Sequence, residues 1–212
     1  DFSAPAPNEL WVTDITEFRL PSGERAYLSP VVDCFDGRPV AWSCGPRPTA
    51  ALADSSLEAA CATLAPGERP AVHSDRGGHY RWPGWKRICD EHGILMVCDE
   101  VQCGWARSGK MFASEYYKEA GCAPDIMTTA KSIAAGMPIS AVTARAEIMD
   151  AVTPGTIGGT FGANAMSAAA ALKVIEIMER DDYPGKALAI AEKVNARAAE
   201  WVEKFDVVGN VR

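Results

Sequence analysis

Two aspartates in the first part of the chain are placed like metal-binding carboxylates. Asp14 lies within the apolar segment Leu10–Phe18, and Asp75 follows the apolar residues 71–74. A carboxylate is costly inside or beside an apolar strand unless it is paired or bound to a metal. Carboxylates on neighbouring strands can hold the divalent ions that assist phosphoryl transfer. Turn caps at strand ends are the alternative interpretation, and spacing alone leaves both open.

A lysine and an aspartate in the later part are placed for a different chemistry. Asp99 follows the apolar run 94–98, and Lys131 follows the strand pattern of residues 125–130. In open α/β folds, ligands bind at the carboxyl ends of such strands. Pyridoxal phosphate requires a lysine amine for its covalent attachment and a carboxylate against its ring nitrogen. The alternative interpretation of Lys131 is a solvated surface lysine.

The elements that must position the first pair follow an α/β order. Strand patterns cover residues 10–18, 26–32 and 39–43, and Asp36-Gly37 is a hairpin signal between the last two. A helical pattern spans residues 49–64, and a short strand follows at 71–74. Three antiparallel strands, a helix and another strand predict an α/β fold.

The elements after residue 85 predict a mostly parallel sheet with helices. The apolar run 94–98 is typical of a strand buried on both faces of a parallel sheet. Residues 125–130 and 139–143 are further strand candidates. Two long helices follow, and the apolar stripe of each is predicted to pack in the core. The stripes comprise Met166, Ala170, Val174, Ile177 and Met178, then Ala191, Val194, Ala198, Trp201, Val202 and Phe205.

The composition changes abruptly near residue 85. Residues 1–85 contain no lysine and no methionine, whereas all 8 lysines and all 7 methionines lie from Lys86 onwards. Arginine does not share this bias, with 7 before the change and 6 after it. One domain has no physical reason to exclude two residue types from its first part. We therefore predict two segments of different origin, 1–85 and 86–212. They are joined at a short amphipathic helix that begins at Trp85 and ends at the capping glycine Gly93.

Overall composition limits the classes of protein. The 212 residues are 48% hydrophobic and 23% charged, which is ordinary for a globular protein. A net charge of −7 argues against extensive electrostatic binding of nucleic acid. No apolar run approaches the roughly 20 residues that span a bilayer, so we expect no membrane partner. Seven scattered cysteines, an odd number, favour reduced thiols and a cytoplasmic location.

The short sequence motifs around Asp14 and Asp75 resemble those of a known protein family. Residues 11–16 read WVTDIT and residues 73–80 read HSDRGGHY. Over about residues 5–94 the chain resembles the catalytic core of DDE-type insertion-sequence transposases and retroviral-type integrases. The resemblance implies a ribonuclease-H-like fold that acts on DNA, with Asp14 and Asp75 as the first two Mg²⁺ ligands. The family's third carboxylate would fall at Lys110 or Met111, so we expect weak magnesium binding and no strand transfer.

The later segment carries a second resemblance. Its motifs, in order, are DEVQ at 99–102, GKMFA at 109–113, AKSIAAGMP at 130–138 and GGTF at 158–161. Over about residues 86–212 the chain resembles a middle portion of class-III aminotransferases, such as 4-aminobutyrate aminotransferase. The resemblance implies part of the large domain of a fold-type-I pyridoxal-phosphate transferase.

This second resemblance also implies residue roles. Lys131 would bind the cofactor covalently, and Asp99 would face the pyridinium nitrogen. Gln102 would lie near the ring hydroxyl, and Thr160 would contact the phosphate of the neighbouring subunit in a homodimer. The substrates would be an amino donor and a 2-oxo acid.

Three functions remain in competition. The first is a class-III aminotransferase-like protein fused to a transposase fragment, for which we expect no turnover. The second is a DDE transposase remnant that retains two of its three acids. The third is a gene-fusion product without a selected function.

Overall fold

The computed structural model describes residues 2–75, 77–156, 158–160 and 162–209. It divides into two compact units. The first contains the chain up to Met96 together with Tyr117–Ala123, and the second contains Val97–Tyr116 and the chain from Pro124 onwards. Within the described residues each unit has a sheet of its own, so the strands of the two segments do not interleave. This confirms the predicted mixed α/β class, whereas the boundary at residue 85 stays a prediction about origin.

The first unit is built on a five-stranded sheet. Strands β1, β2 and β4 pair antiparallel with β3, and β5 pairs parallel with β1. The elements in chain order are β1 (Leu10–Thr13), β2 (Thr16–Arg19), β3 (Arg25–Asp33), β4 (Pro39–Gly45), α1 (Ala50–Cys61), β5 (Ala71–His73), a 3₁₀ helix (Gly78–Arg81) and α2 (Pro83–Glu91).

The segment predicted as one strand over Leu10–Phe18 forms two strands, which corrects the prediction. Both keep one register along β3, with Thr13 opposite Val31 and Thr16 opposite Leu28. The same register places Pro30 opposite the gap between them. Proline has no N–H to donate to a ladder, which accounts for an interruption here. The break leaves Asp14 at the end of β1 instead of inside a strand.

Local signals in the sequence explain both longer helices of the first unit. Helix α1 begins after Thr49, whose side chain accepts a hydrogen bond from the Leu52 N–H, as an N-cap does. Helix α2 ends near Gly93, which has a left-handed φ of +67° and confirms the predicted terminating glycine. The core between sheet and helices contains Trp11, Val31, Ala53, Leu57, Tyr80, Trp85 and Ile88.

The second unit contains a three-stranded sheet in the order β6-β7-β8. Strands β6 and β7 are parallel, as predicted, and β8 is antiparallel to β7. Its remaining elements are short helices and two long ones. The elements in chain order are β6 (Val97–Asp99), α3 (Glu115–Lys118), β7 (Ile126–Thr129), a 3₁₀ helix (Lys131–Ala134), β8 (Ala141–Ala144), α4 (Ala146–Met149), α5 (Ala165–Arg180) and α6 (Tyr183–Lys204).

Short helix α3 lies at the border of the two units. The Tyr116 hydroxyl donates to the Ser108 carbonyl at 2.9 Å, within the second unit. The ring of the next residue, Tyr117, lies 4.4 Å below the Arg81 guanidinium carbon, within the first unit. Seven residues from the later segment, Tyr117–Ala123, therefore fold with the first unit.

Two predictions of burial in the second unit are wrong. The run 94–98 does not form a strand buried on both faces, since Val97 is 56% exposed and β6 pairs only with β7. The helical stripes are only partly in a core. Met178 and Ala198 are buried, but Met166 is 73% exposed and Trp201 is 47% exposed. A helical period predicts which face is apolar, but it cannot show that another element covers that face.

All seven cysteines are free thiols. Burial raises the pKa of the Cys61 and Cys122 thiols, which disfavours the reactive thiolate. Across the part of the chain that the structure describes, no helix combines the length and the apolar character needed to cross a membrane.

Candidate functional site

The structure brings the two predicted metal-binding aspartates to neighbouring strand ends. Strand β1 runs parallel to β5, with Leu10 opposite Ala71 and Val12 opposite His73. Extending this register by two residues sets Asp14 opposite Asp75. Both residues are exposed. The parallel pairing therefore presents two carboxylates side by side at one edge of the sheet, while their role as metal ligands stays a prediction.

One oxygen of each carboxylate is already engaged by the backbone. Asp14 Oδ1 accepts from the N–H of Ile15 at 2.8 Å, and Asp75 Oδ1 accepts from the N–H of Gly77 at 2.7 Å. The Asp75 bond, to an N–H two residues on, is typical of aspartates in turns, whereas the Asp14 bond goes to the next residue. The turn-cap interpretation is thus satisfied for Asp75, and it does not preclude a ligand on the remaining oxygens.

Tyr80 is a residue of this site to which the sequence assigned no role. It is 3% exposed, and its ring packs edge-on against Trp85, with centroids 4.9 Å apart. Burial raises the pKa of Tyr80 to about 12. A hydrogen bond with the Thr13 side chain opposes this rise, and the Asp14 and Asp75 charges add to it. Both acids therefore lie within electrostatic reach of the hydroxyl.

A two-ion centre does not fit these residues. Nowhere in the described ranges do three His, Cys, Asp or Glu side chains form a group that could hold a metal ion. Two acids that flank the expected third ligand in the sequence serve their own loop. Glu100, 2% exposed, accepts from the N–H groups of Ala113 and Ser114 at 3.2 and 2.6 Å, and Glu115 accepts from the N–H of Phe112 at 2.8 Å. Two carboxylates alone lack the ligands that a pair of divalent ions needs.

The lysine and aspartate of the later segment lie at the carboxyl edge of the parallel strands β6 and β7. Asp99 is opposite Thr128, and Lys131 follows three residues later. Asp99 Oδ1 accepts from the Val101 N–H at 3.0 Å and from Thr128 Oγ1 at 3.5 Å. The edge that the strand pattern predicted is therefore the one on which both residues lie.

Gln102 completes this arrangement. Its Oε1 accepts a hydrogen bond from Lys131 Nζ, so the amide and the amine are in direct contact. Lys131 itself has a φ of +52°, the left-handed region that side chains with a Cβ avoid. An amine, a carboxylate and an amide at one strand edge form the donor set that fits a pyridine aldehyde cofactor.

Thr160 lies elsewhere in the second unit. It lines a cavity of about 610 Å³ together with Gly158, Gly159 and Asn164. Lys131, Asp99 and Gln102 are not among the described residues that line this cavity. Described contacts and strand pairing thus join three of the four predicted cofactor residues, and no such contact among the described residues joins Thr160 to them. Arg76 and Phe161, which belong to the two family motifs, lie outside the described residues.

Comparisons with known proteins match both segments. Residues 81–212 match the family model described as aminotransferase class-III, and residues 4–102 match the integrase core domain. The chain therefore belongs to the class-III aminotransferase family through its larger part, and it carries an integrase-core segment in front of that part.

Individual relatives show the same division. The chain is 44% identical over 127 residues to 4-aminobutyrate aminotransferase of Escherichia coli, covering 60% of this chain and 29% of that protein. It is 56% identical over 103 residues to the "Probable transposase for insertion sequence element IS1353" of Shigella flexneri, covering 49% of this chain and 20% of that protein. The chain thus spans less than a third of either relative.

A solved amine transaminase from an uncultivated Pseudomonas species superposes with a TM-score of 0.67 and 33% identity. The superposition covers 77% of this chain and 40% of that one. Because the class-III sequence match begins at residue 81, a superposition of this extent also includes residues that precede it. The structural likeness to aminotransferases therefore reaches beyond the segment recognised from sequence.

Proposed function

We propose that the second unit binds pyridoxal phosphate at Lys131 and does not turn over amino acids. The observation that carries this proposal is the placement of Lys131, Gln102 and Asp99 at the carboxyl edge of β6 and β7. When bound, the cofactor supplies an aldehyde that a lysine amine can capture and a ring that takes up electrons from the substrate carbon.

The residues of the chain would divide the work of holding this cofactor. Lys131 would provide the amine, which must leave Gln102 to react. The Asp99 carboxylate would face the ring nitrogen and keep it protonated. Gln102, released from the amine, would be free to hydrogen-bond the ring hydroxyl.

Turnover is not expected, because the described residues offer only weak contacts to the cofactor and to the carboxylate of a substrate. Asp99 and Lys131 are exposed, so water competes with each of their interactions. Three of the four described arginines of the second unit already pair with acids, namely Arg145 with Asp125, Arg180 with Asp181, and Arg197 with Glu200, and the fourth, Arg107, is exposed. Each charge-assisted contact that the site lacks costs roughly 1.5–3 kcal/mol.

Borohydride trapping tests this proposal. The chain is incubated with pyridoxal phosphate, reduced, digested and analysed by mass spectrometry. We expect the label on Lys131 and its loss in Lys131→Ala. Lys173→Ala, which removes an exposed lysine paired with Glu176, is the matched control and should leave the label in place. Equal labelling of Lys131 and Lys173 would show ordinary surface reactivity and contradict the proposal.

Transamination is a separate measurement. We expect no product from 4-aminobutyrate and 2-oxoglutarate, even where Lys131 is labelled. Sustained turnover by the purified chain would refute the inactive state, and would show that the first unit supplies groups that we do not credit to it.

A homodimer is also a proposal. The position of Thr160, in a cavity apart from Lys131, is compatible with a phosphate contact to a second copy. Sedimentation with and without pyridoxal phosphate tests it, since a cofactor-dependent shift to twice the mass is the expected result.

The acidic pair supports a second candidate function. We propose that Asp14 and Asp75 bind one divalent cation, Mg²⁺ in the cell, without cleaving DNA. The parallel β1–β5 register that sets them side by side is the observation in favour. Nicking of supercoiled DNA that disappears in Asp14→Asn would refute the lack of cleavage. Absence of both cofactor and cation binding would leave the third alternative, a fusion product without function.

A further inference from the structure

Glu100 is a buried carboxylate beside the candidate cofactor residues. It is 2% exposed and directly follows Asp99 at the end of β6. Taking an ionised carboxylate out of water is costly unless hydrogen bonds compensate for the lost water. Its two oxygens accept from the backbone N–H groups of Ala113 and Ser114 at 3.2 and 2.6 Å. The carboxylate therefore joins the end of β6 to a loop that is distant in the chain.

The backbone of Glu100 fixes the turn that carries Gln102. The Glu100 N–H donates to the Thr128 carbonyl on β7 at 2.9 Å, and the Glu100 carbonyl accepts from the Gly104 N–H at 2.9 Å. A Cβ built on Gly104 would lie 2.7 Å from this carbonyl oxygen, so glycine allows the turn to close this tightly. Gln102 is the middle residue of the turn, and Thr128 precedes Lys131 by three residues. The turn is thus tied to the strand that leads to the lysine.

The loop behind this turn contains two strained residues. Trp105 and Ala106 have φ values of +61° and +68°, in the left-handed region that residues with a Cβ avoid. Such strain persists only where the surrounding contacts over-determine the backbone. The Phe112 ring supplies one contact, since it packs edge-on against Trp105 with centroids 5.1 Å apart. The Glu100 carboxylate supplies another, since it holds the two residues that follow Phe112.

We propose that Glu100 is a positioning residue that holds Gln102 against the Lys131 amine. The inference rests on the cofactor binding proposed above. Gln102 Oε1 accepts from Lys131 Nζ, and this contact depends on where the turn lies relative to β7. With the Glu100 carboxylate in place, residues 112–114 pack behind the turn, and Gln102 stays within reach of the amine and of a ring hydroxyl. Without the carboxylate, only backbone bonds hold the turn.

The proposal predicts that Glu100 and Gln102 act as one unit in cofactor binding. The measured quantity is the concentration of pyridoxal phosphate that gives half of the maximal borohydride-trapped label on Lys131 of the full chain. Gln102→Ala removes a hydrogen bond to the ring hydroxyl and should raise this concentration about fivefold. Glu100→Gln should raise it about threefold, because glutamine can accept from only one of the two N–H groups. The double variant should equal Gln102→Ala, since two residues that act through one contact are not additive.

A measurement without cofactor tests the same link. Hydrogen exchange of peptides from residues 99–108 should be faster in Glu100→Gln than in the wild type, because the loop behind the turn is released. Met178→Ala is the matched control. Met178 is a buried residue of α5, so its truncation lowers the stability of the second unit at a distance in the chain from the turn. Below its melting range, this variant should keep the exchange of the turn and the half-saturating concentration of the wild type.

The outcomes separate this inference from the function on which it rests. If Lys131 is labelled in the wild type and Glu100→Gln binds the cofactor equally well, the inference is overturned and the cofactor site stands. A double variant about threefold weaker than Gln102→Ala would also overturn it, because Glu100 would then act by general stabilisation. No label on Lys131 in the wild type would overturn the proposed function together with the inference. If Glu100→Gln does not fold, Glu100→Asp decides by the same comparison, because aspartate keeps the charge and is one methylene shorter.

Discussion

The backbone at Lys131 should be a source of strain that glycine relieves. Its φ of +52° lies in the left-handed region, which costs a residue with a Cβ about 1–2 kcal/mol. Strain of this kind is often stored at functional sites. Lys131→Ala removes the amine and keeps the strain, whereas Lys131→Gly removes both.

The expected difference between the two variants follows from these terms. Glycine gains the strain energy, but it loses about 0.5–1 kcal/mol of extra backbone entropy on folding. Both variants lack the lysine side chain, so its contacts do not enter the comparison. Lys131→Gly should therefore be more stable than Lys131→Ala by about 0.5–1 kcal/mol.

Urea unfolding, with hydrogen exchange of peptides from residues 126–144, measures this difference in the second unit. Ala196→Gly on the exposed surface of α6 is the matched control and should cost about 1 kcal/mol, the usual sign for alanine to glycine in a helix. Neither Lys131 variant should retain covalent pyridoxal phosphate. A Lys131→Gly protein that is less stable than Lys131→Ala would refute the strained backbone and the reasoning from it.

Three further substitutions test other contacts. Gly77→Ala should destabilise the first unit by about 1–3 kcal/mol, because its Cβ would meet Asp75 Oδ1 at 2.8 Å. Gly78→Ala, which has open space around it, is the control and should change stability by no more than about 0.5 kcal/mol. Equal melting temperatures of the two variants would contradict the packing around Gly77. Burial raises the pKa of Asp54, so its contribution to stability is greatest below the ordinary aspartate pKa and falls as pH rises through the folded value. Asp54→Asn should therefore raise the melting temperature at neutral pH and lose this advantage in acid, and a gain independent of pH would show a different cause. Glu100→Gln should cost about 1–3 kcal/mol in urea unfolding, because one of its two buried acceptor oxygens becomes a donor facing a backbone N–H; a neutral result would show that the loop does not depend on the carboxylate.

Turns and helix ends that depend on a few neighbouring residues could be predicted from the sequence. The Asp36-Gly37 hairpin and the Gly93 terminus depend on residues close in the chain, and the structure has both. The break between β1 and β2 was not predicted, because Pro30 lies on another strand and only the register of the sheet sets it opposite Asp14.

The candidate sites needed more than local chemistry. Motifs singled out Asp14 and Asp75, but the parallel β1–β5 pairing that sets them together joins residues far apart in the chain. The burial of Tyr80 beside this pair could not be predicted, because it depends on how the 3₁₀ helix packs against Trp85. The left-handed φ of Lys131 is equally invisible, since lysine gives no signal of it as glycine would.

The stacking of Arg81 on Tyr117 means that ancestry and folding divide this polypeptide at different places. A chain cut after Met96, where the first compact unit pauses, would leave Tyr117–Ala123 on the other piece. The first piece would then lose the Tyr117 ring that stacks on Arg81, and the second would carry seven residues that fold with the first unit. Dividing the chain into two fragments therefore requires that residues 117–123 stay with the first.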